Sequence, residues 1–518
     1  MMMSRPTMNT GGATFSSGQD DCPDEKAPQP VRDRPCHILV LGDFSGRSHR
    51  GLDDPASLTE RKLWEITRDN FDDVFVRLKV TLDLAVADQP IVFQEYDDLH
   101  PDYLYERVDQ LFSQFRALKR KLNKADSFEA AAREIQSWGV ASPTPSQKSP
   151  TTPDPTADQA SQDNVLEMLL HSPRAEQETG FSVQSLIQEI VAPYVVPAED
   201  PRKADLLNTL DQATSHLMRK ILHSSAFQDI ESGWRGLYWL LKQLELDANL
   251  RLFLVDISLS EIIADNEAHE DQTTALHKLL LEHRVAEGSV PFSLMVADYQ
   301  LQDQVEHCEA LANLASVAAD SHALLLSGVS ERIAGCPSLA QIPYPEHWYL
   351  RQQSETDFDL MWNAIREQEY SRHVVLTCPR FMLRLPYGDR TSPLDSFEFE
   401  ELPEQGQHDY YLWGNGAWLL AAKLGNDFAR GGWDETAVHG CRLTQLPLHV
   451  YKEHGESRVM PCAEIAMTDN TAGALLQYGL MPIRSVRDED SVVVGELRSL
   501  SLEGGEVAGP WADIDTSA

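Results

Sequence analysis

The chain has 518 residues, enough for several domains with extensive buried cores. Its 44 basic and 81 acidic residues give a formal charge of −37, which makes nucleic acid and anionic membranes poor partners because both repel such a surface. No apolar run reaches the roughly 18 residues that cross a bilayer, and the N-terminus lacks the apolar centre of a secretory signal. We therefore expect no membrane insertion and a cytoplasmic location.

Motifs that would indicate catalysis or metal binding are missing from the sequence. The seven cysteines form no CxxC pair, so they indicate reduced thiols and not a zinc or redox site. A phosphate loop needs four residues between its glycines and then Lys, whereas three residues separate Gly42 from Gly46 and Arg47 follows. We predict a structural turn there, with no catalytic residue, no metal and no cofactor, and hence no enzyme.

The N-terminal third predicts a short α/β unit. Residues 1–34 are polar and unpatterned, which is typical of disorder. The apolar run from Ile38 to Leu41, ended by Gly42, predicts a buried strand. Pro101 suits the start of a long helix. Its expected buried stripe consists of Leu104, Val108, Leu111, Phe115 and Leu118.

Residues 141–163 consist largely of Pro, Ser, Thr and Asp, with almost nothing to bury. This composition predicts an extended, flexible linker. A linker of this kind joins two folded units and raises their effective concentration. The sequence thus predicts a folded unit on either side of it.

Residues 206–246 predict two helices that meet near residues 223–226. The second helix carries apolar side chains at alternating spacings of three and four, which places them on one face. This face consists of Phe227, Ile230, Trp234, Leu237, Leu241 and Leu244. Gly236 lies off that face and costs roughly 1 kcal/mol relative to Ala in a helix. We expect it to allow another backbone to approach closely.

Beyond residue 250, predicted strands alternate with helices, which indicates crossover connections and a parallel or mixed sheet. Three arginines, Arg380, Arg384 and Arg390, form the best basic patch of an acidic chain. The segment 397–401 after them predicts a strand with its two Phe on one face and its Glu on the other. The arginines could pair with Glu inside the fold, pair with a neighbouring subunit, or lie solvated at the surface. Residues 413–418 predict core packing by two tryptophans.

Two parts of the sequence resemble one assembly. The stretch HSSAFQDIESGWRGLYWLL at 223–241 is similar to the helix that opens the core of the large subunit of the type VI secretion contractile sheath. This likeness extends over about 205–483, and CPRFMLRLPYG at 378–388 is its most distinctive segment. Residues 35–123 resemble the small subunit of the same sheath. Their matching segments are LVLGDFSGR, DNFDDV and YDDLHPDYL.

The resemblance implies an α/β protein in which a small-subunit-like domain (35–140) is packed on a larger mixed-sheet domain (164–518). The segment after 483 is shorter than the tail that links subunits in the family. The implied function is a structural component of the sheath, with both subunits fused in one chain. The alternative is a non-polymerising cap, adaptor or regulatory protein of the same apparatus, which the short tail favours. An enzyme is the third and weakest hypothesis.

The resemblance also implies partners and site residues. The partners are the chain itself or other sheath subunits, with the inner-tube protein, the baseplate and a disassembly ATPase as further candidates. The expected interface or core residues are Phe227, Trp234, Arg235, Gly236, Arg380, Arg384, Glu398 and Glu400. A helix gripped by the ATPase would include Val165, Leu166, Met168, Leu169 and Leu170. The alternative for that helix is simple packing on the core.

Overall fold

A computed structural model describes residues 35–84, 87–138, 203–269, 273–282, 290–350, 356–402, 407–434, 440–502 and 505–512. Three predicted segments lie outside this part: the disordered start (1–34), the linker (141–163) and the helix that an ATPase would grip (165–170). None of the helices in the described ranges is both long and apolar enough to cross a membrane.

Helices and strands alternate along the described chain. The helices are α1 (Phe71–Leu78), α2 (Pro101–Arg107), α3 (Asp109–Leu122), α4 (Ala125–Trp138), α5 (Lys203–Leu222), α6 (Ser225–Gln243), α7 (Leu259–Ala268), α8 (Ala275–His277), α9 (Val305–Asp320), α10 (Asp357–Glu367), α11 (Ala417–Gly431) and α12 (Asp469–Gln477). The strands are β1 (Cys36–Gly42), β2 (Trp64–Ile66), β3 (Thr81–Leu82), β4 (Ile91–Val92), β5 (Leu250–Asp256), β6 (Leu294–Leu301), β7 (Leu324–Val329), β8 (Val374–Cys378), β9 (Phe381–Met382), β10 (Trp413–Gly414), β11 (Cys441–Leu443), β12 (His449–Glu453), β13 (Glu456–Met460), β14 (Leu480–Ser485) and β15 (Val492–Val494).

One mixed sheet of nine strands organises the fold, in the order β11-β15-β14-β8-β7-β6-β1-β5-β2. Its central strands β5, β1, β6, β7 and β8 are parallel, whereas β2 at one edge and β15 and β11 at the other pair antiparallel. Strand β14 also pairs parallel with β8, so the six parallel strands, numbered by chain order, run 2-1-3-4-5-6, of which the first five have the flavodoxin-like order. The α/β mixed sheet that the sequence predicts is therefore confirmed.

Strand β1 lies inside this sheet, although it precedes all the other strands by more than twenty residues. Leu39 is aligned with Phe253 of β5 on one side and with Met295 of β6 on the other. Its side chains alternate between two cores, with Val40 in one and Leu41 in the other. The two parts of the chain thus share a sheet and do not merely pack face to face.

Helices cover both faces of the sheet, which explains why the central strands are largely apolar. Helices α5, α6 and α11 pack on one face together with α1 to α4. Helices α7, α9, α10 and α12 pack on the other face. The two cores meet only through the sheet, so β1 contributes to both.

The long helix predicted from Pro101 is interrupted. Pro101 does occupy the first turn of α2, but the backbone leaves the helical region at Val108 (φ −86°, ψ 83°) and α3 starts at the next residue. All five predicted stripe residues are nevertheless buried. The break lets α3 pack on α5 while the predicted stripe stays buried. The pattern of apolar residues alone therefore did not indicate the break.

The strand predicted at 397–401 is absent from this described stretch. Phe397 and Phe399 are buried while Glu398 and Glu400 are exposed, so the predicted alternation of burial is present. The backbone carbonyls of Glu398 and Glu400 accept hydrogen bonds from α5 side chains, Ser215 Oγ at 3.0 Å and Arg219 Nε at 2.8 Å. Because side chains satisfy these carbonyls, the segment needs no neighbouring strand.

Candidate functional site: the joint between the two parts

We use "joint" for the contacts between the N-terminal part (residues 35–138) and the C-terminal part (residues 203–512). Trp234 of α6 lies at its centre and is fully buried. Its ring contacts three aromatic rings of the N-terminal part, with centroid distances of 4.6 Å to Phe75, 5.4 Å to Phe44 and 5.5 Å to Phe71. Its indole N–H donates to the backbone carbonyl of Phe44 at 2.7 Å. The apolar face predicted for α6 is therefore the surface on which the N-terminal part packs.

Arginines of the N-terminal part bind polar groups of the C-terminal part. Arg68 donates to the carbonyls of Leu241, Lys242 and Leu244, at 3.2 to 3.3 Å, where α6 ends. These last carbonyls have no partner within the helix, so a cation from outside satisfies them. Arg47 donates to both carboxylate oxygens of Glu261 at 2.8 Å. The joint is thus held by directional bonds as well as by apolar packing.

The loop after β1 is the structural turn that the sequence predicts. The backbone N–H of Ser45 donates to the Asp256 carboxylate at 3.0 Å, and its hydroxyl donates at 2.7 Å. The Asp43 carboxylate accepts from the N–H groups of Arg47 and Ser48 at 2.6 and 2.8 Å. The hydrogen-bond donors that a phosphate loop would offer to phosphate are therefore bound here to carboxylates of the protein itself.

A largely buried ionic cluster that includes Glu231 and Arg235 of α6 holds the distinctive segment 378–388 in place. Arg384 donates to both oxygens of Glu231 (2.8 and 3.1 Å) and to both oxygens of Glu401 (2.7 and 2.9 Å). Arg235 donates to Glu231 at 2.6 Å and to the Tyr387 hydroxyl at 2.8 Å. Two cations and two anions balance, as burial requires. We call these five residues the arginine cluster.

Electrostatics within the arginine cluster favour the charged forms. Burial alone would raise the pKa of Glu401, but Arg384 and His223 oppose it and bring the pKa down to about 2. Burial would likewise lower the pKa of Arg384, and the two glutamates raise it instead. The two arginines and the two glutamates of the cluster therefore stay charged, and their charges cancel within the cluster.

The lowered pKa of Glu401 predicts a specific loss of stability in acid. Above its ordinary value of 4.5 the carboxyl is ionised both folded and unfolded, so its contribution of roughly 3 kcal/mol is complete. Between pH 4.5 and about 2 only the unfolded chain binds the proton, so this contribution disappears as the pH falls. We expect the difference in unfolding free energy between wild type and Glu401→Gln to shrink over this range, measured by urea titration followed by circular dichroism. A difference that is constant with pH would contradict this role.

The predicted site residues fall into two groups. Phe227, Trp234, Gly236 and Arg384 are buried in the joint or directly beside it, and Arg235 next to them is partly exposed, at 22% of its side chain. Arg380 pairs with Glu464, its Nε donating at 2.9 Å. Of the three possibilities open for the arginines, internal pairing applies to Arg380 and Arg384, whereas Arg390 is exposed. Glu398 and Glu400 are exposed and do not join the arginine cluster, which uses the next glutamate, Glu401.

Gly236 allows a close approach, but the group that approaches it is a side chain and not a backbone. A Cβ at Gly236 would lie 2.4 Å from the indole Nε1 of Trp418 on α11. We expect Gly236→Ala to destabilise the protein by about 1–3 kcal/mol through overpacking. Gly473→Ala in α12, where a Cβ meets nothing within 4 Å, should instead stabilise by about 1 kcal/mol. Thermal unfolding of both variants checks this prediction. Equal shifts in melting temperature would contradict it.

No group of three or more His, Cys, Asp or Glu side chains in the described ranges is arranged to hold a metal ion. The described cysteines are free thiols, and five of the six are buried. Burial raises the pKa of both Cys36 and Cys378, which keeps them as neutral thiols.

The comparison with known families decides the assignment. The sequence profile described as "EvpB/VC_A0108, tail sheath N-terminal domain" matches residues 204–501, more than half of the chain. The chain belongs to the type VI secretion sheath family. A second profile, described as "Type VI secretion system, VipA, VC_A0107 or Hcp2", matches residues 28–137. This sheath protein therefore carries the small part at its N-terminus and the large part at its C-terminus, as the resemblance implies.

One curated relative and one solved structure add to this. The type VI secretion system sheath protein TssC1 of Pseudomonas aeruginosa is 28% identical over 327 residues, which is 61% of this chain. The chain spans 65% of the length of that relative. A chain in the cryo-electron microscopy structure of the anti-feeding prophage baseplate is 12% identical, with a TM-score of 0.29, over 54% of this chain and 53% of that one. A likeness of that size supports no conclusion about fold or partners.

Proposed function

We propose that this chain is a structural component of a type VI secretion contractile sheath, with the small and large subunits fused in one polypeptide. The observation that carries the proposal is the position of β1. This strand pairs with β5 through seven aligned residues and with β6 through four, inside the sheet of the C-terminal part. A separate, loosely tethered domain would not occupy that position.

The joint supports the same proposal. Its contacts combine an aromatic cluster around Trp234, the capping of α6 by Arg68, and the bonds from Arg47 to Glu261. An additional ion pair links Lys119 of α3 to Asp211 of α5 at 3.0 Å. Such a joint holds the two parts together as one building block, as a polymer that transmits force requires.

The partners that follow from this proposal are other copies of the chain and separate sheath subunits. The inner-tube protein, the baseplate and a disassembly ATPase would meet the polymer as a whole. We propose that the chain acts by packing and assembly, without catalysis.

Electron microscopy of the purified chain tests the proposal. The chain is imaged alone and after mixing with separate small and large sheath subunits, and its presence in pelleted tubes is measured by mass spectrometry. We expect it to form tubes or to enter them along their length. A protein of similar size unrelated to sheaths serves as the pelleting control. A chain that stays monomeric and is absent from the tubes would contradict the proposal, and binding confined to tube ends would indicate a cap.

A further inference from the structure

A cavity of about 390 Å³ opens at the carboxyl ends of β1 and β6. In a parallel sheet whose order begins 2-1-3, the segments that follow the first and third strands run on opposite faces of the sheet, which leaves a crevice at the carboxyl ends of these two strands. Ligands of open α/β sheets bind in that crevice. Both parts of the chain form its wall, with Asp43 and Phe44 from the N-terminal part and Asp298 and Trp413 from the C-terminal part.

A bulge in β6 directs Asp298 toward this cavity. The pairing of β6 with β7 shifts register between Ala297 and Gln300, and such bulges re-aim side chains. The Asn415 amide holds the bulge by donating to the carbonyl of Tyr299 at 3.0 Å. One oxygen of Asp298 accepts from the indole N–H of Trp418 at 3.1 Å. Its other oxygen lies beside Gly233 of α6, where a Cβ would come within 3.3 Å.

The charge of the cavity is negative. Asp43, Asp229 and Asp298 line it. Asp43 accepts hydrogen bonds from its own loop, and Asp229 contacts His49 Nε2 at 3.0 Å. Arg380 is also present but is bound to Glu464. Within the described part of the chain, no Lys or Arg forms an ion pair with Asp298. Burial, with a further effect of Asp229, raises the pKa of Asp298 to about 7. Phosphates and other anions are therefore unsuitable occupants, and a cation would relieve the repulsion.

We propose that this cavity binds a small organic cation carrying a primary ammonium or guanidinium group, with the Asp298 carboxylate as its anchor. A charge-assisted hydrogen bond to Asp298 would orient the cation. Phe44 and Trp413 line the same cavity, and aromatic rings attract cations. Because Asp43 and Phe44 belong to the N-terminal part, the bound cation would also fasten the joint. This inference does not depend on the proposed function.

Calorimetric titration of the full chain with 1,4-diaminobutane, at about pH 8 where Asp298 is largely ionised, tests the proposal. An acidic protein attracts any cation, so each titration is run at fixed ionic strength and compared with 1,4-butanediol. Asp298→Asn should weaken binding at least about ten-fold. Asp88→Asn, at an exposed site in the N-terminal part, removes the same charge and should leave binding unchanged.

A second variant keeps the test decisive if Asp298→Asn does not fold. Ser232→Phe fills the cavity from α6 without altering charge, and it should also weaken binding at least about ten-fold. If Asp298→Asn and Ser232→Phe bind 1,4-diaminobutane with the affinity of wild type, the proposal is overturned. It is also overturned if Asp88→Asn lowers the affinity as much as Asp298→Asn does. The absence of saturable binding to the wild-type chain would overturn it as well.

Discussion

Replacing Arg384 with Met is expected to lower the free energy of unfolding by about 3–5 kcal/mol. The variant leaves the carboxylates of Glu231 and Glu401 buried, at 0% and 1% side-chain exposure, after removing the cation that bridges them. Arg235 still pairs with Glu231, so the uncompensated buried charge is mainly that of Glu401. Methionine fills a similar volume, and the loss therefore reports charge and not a cavity. Urea denaturation followed by circular dichroism measures the change.

Arg390→Met is the matched control for this substitution. Arg390 belongs to the same arginine-rich segment but is exposed, so its replacement should change stability by no more than about 0.5 kcal/mol. If both variants are equally stable, the arginine cluster contributes nothing to the fold. If both are equally unstable, the effect does not come from the buried ion pairs.

Replacing Trp234 with Ala is expected to cost about 3–5 kcal/mol, the range for deleting a large aromatic ring from a core. The ring contacts Phe44, Phe71 and Phe75 of the N-terminal part, so the cavity would open in the middle of the joint. We expect both parts to lose stability together, since β1 and α6 belong to one core. Hydrogen exchange of the β1 amides, followed by mass spectrometry, should accelerate in the variant.

Trp234→Phe separates packing from hydrogen bonding at the same position. Phenylalanine retains most of the ring contacts but cannot donate to the carbonyl of Phe44, so we expect a loss of about 1–3 kcal/mol. A Trp234→Ala variant with unchanged exchange in β1 would show that the aromatic cluster does not couple the two parts.

Local sequence patterns predicted most of the secondary structure and much of the burial. The six apolar residues predicted for α6, of which Leu244 follows directly after the helix, recur with helical spacing and all are buried, because that spacing reflects the face that packs. The burial of Phe397 and Phe399 followed from alternation in the same way, even though no strand forms there. Patterns of this kind report which side chains face the core, and less reliably which backbone conformation presents them.

Pairing across long sequence distances was not predictable. Glu401 and not Glu400 binds Arg384, because the turn after Tyr387 brings the Tyr387 N–H and the arginine to the same carboxylate. Glu231 could have been suspected from its spacing of four to Arg235 on α6. The insertion of β1 between β5 and β6 had no local signal, because a largely apolar strand that is buried on both faces fits any interior position of a parallel sheet.

Because the N-terminal part supplies an interior strand of the sheet, its fragment should stay bound when the chain is cut between the two parts. A specific protease site is placed within residues 141–163, the predicted linker, and the folded protein is cut and passed through a sizing column in native buffer. We predict that the two fragments elute together at the volume of the intact chain and separate only in denaturant. Fragments that separate in native buffer would contradict the account.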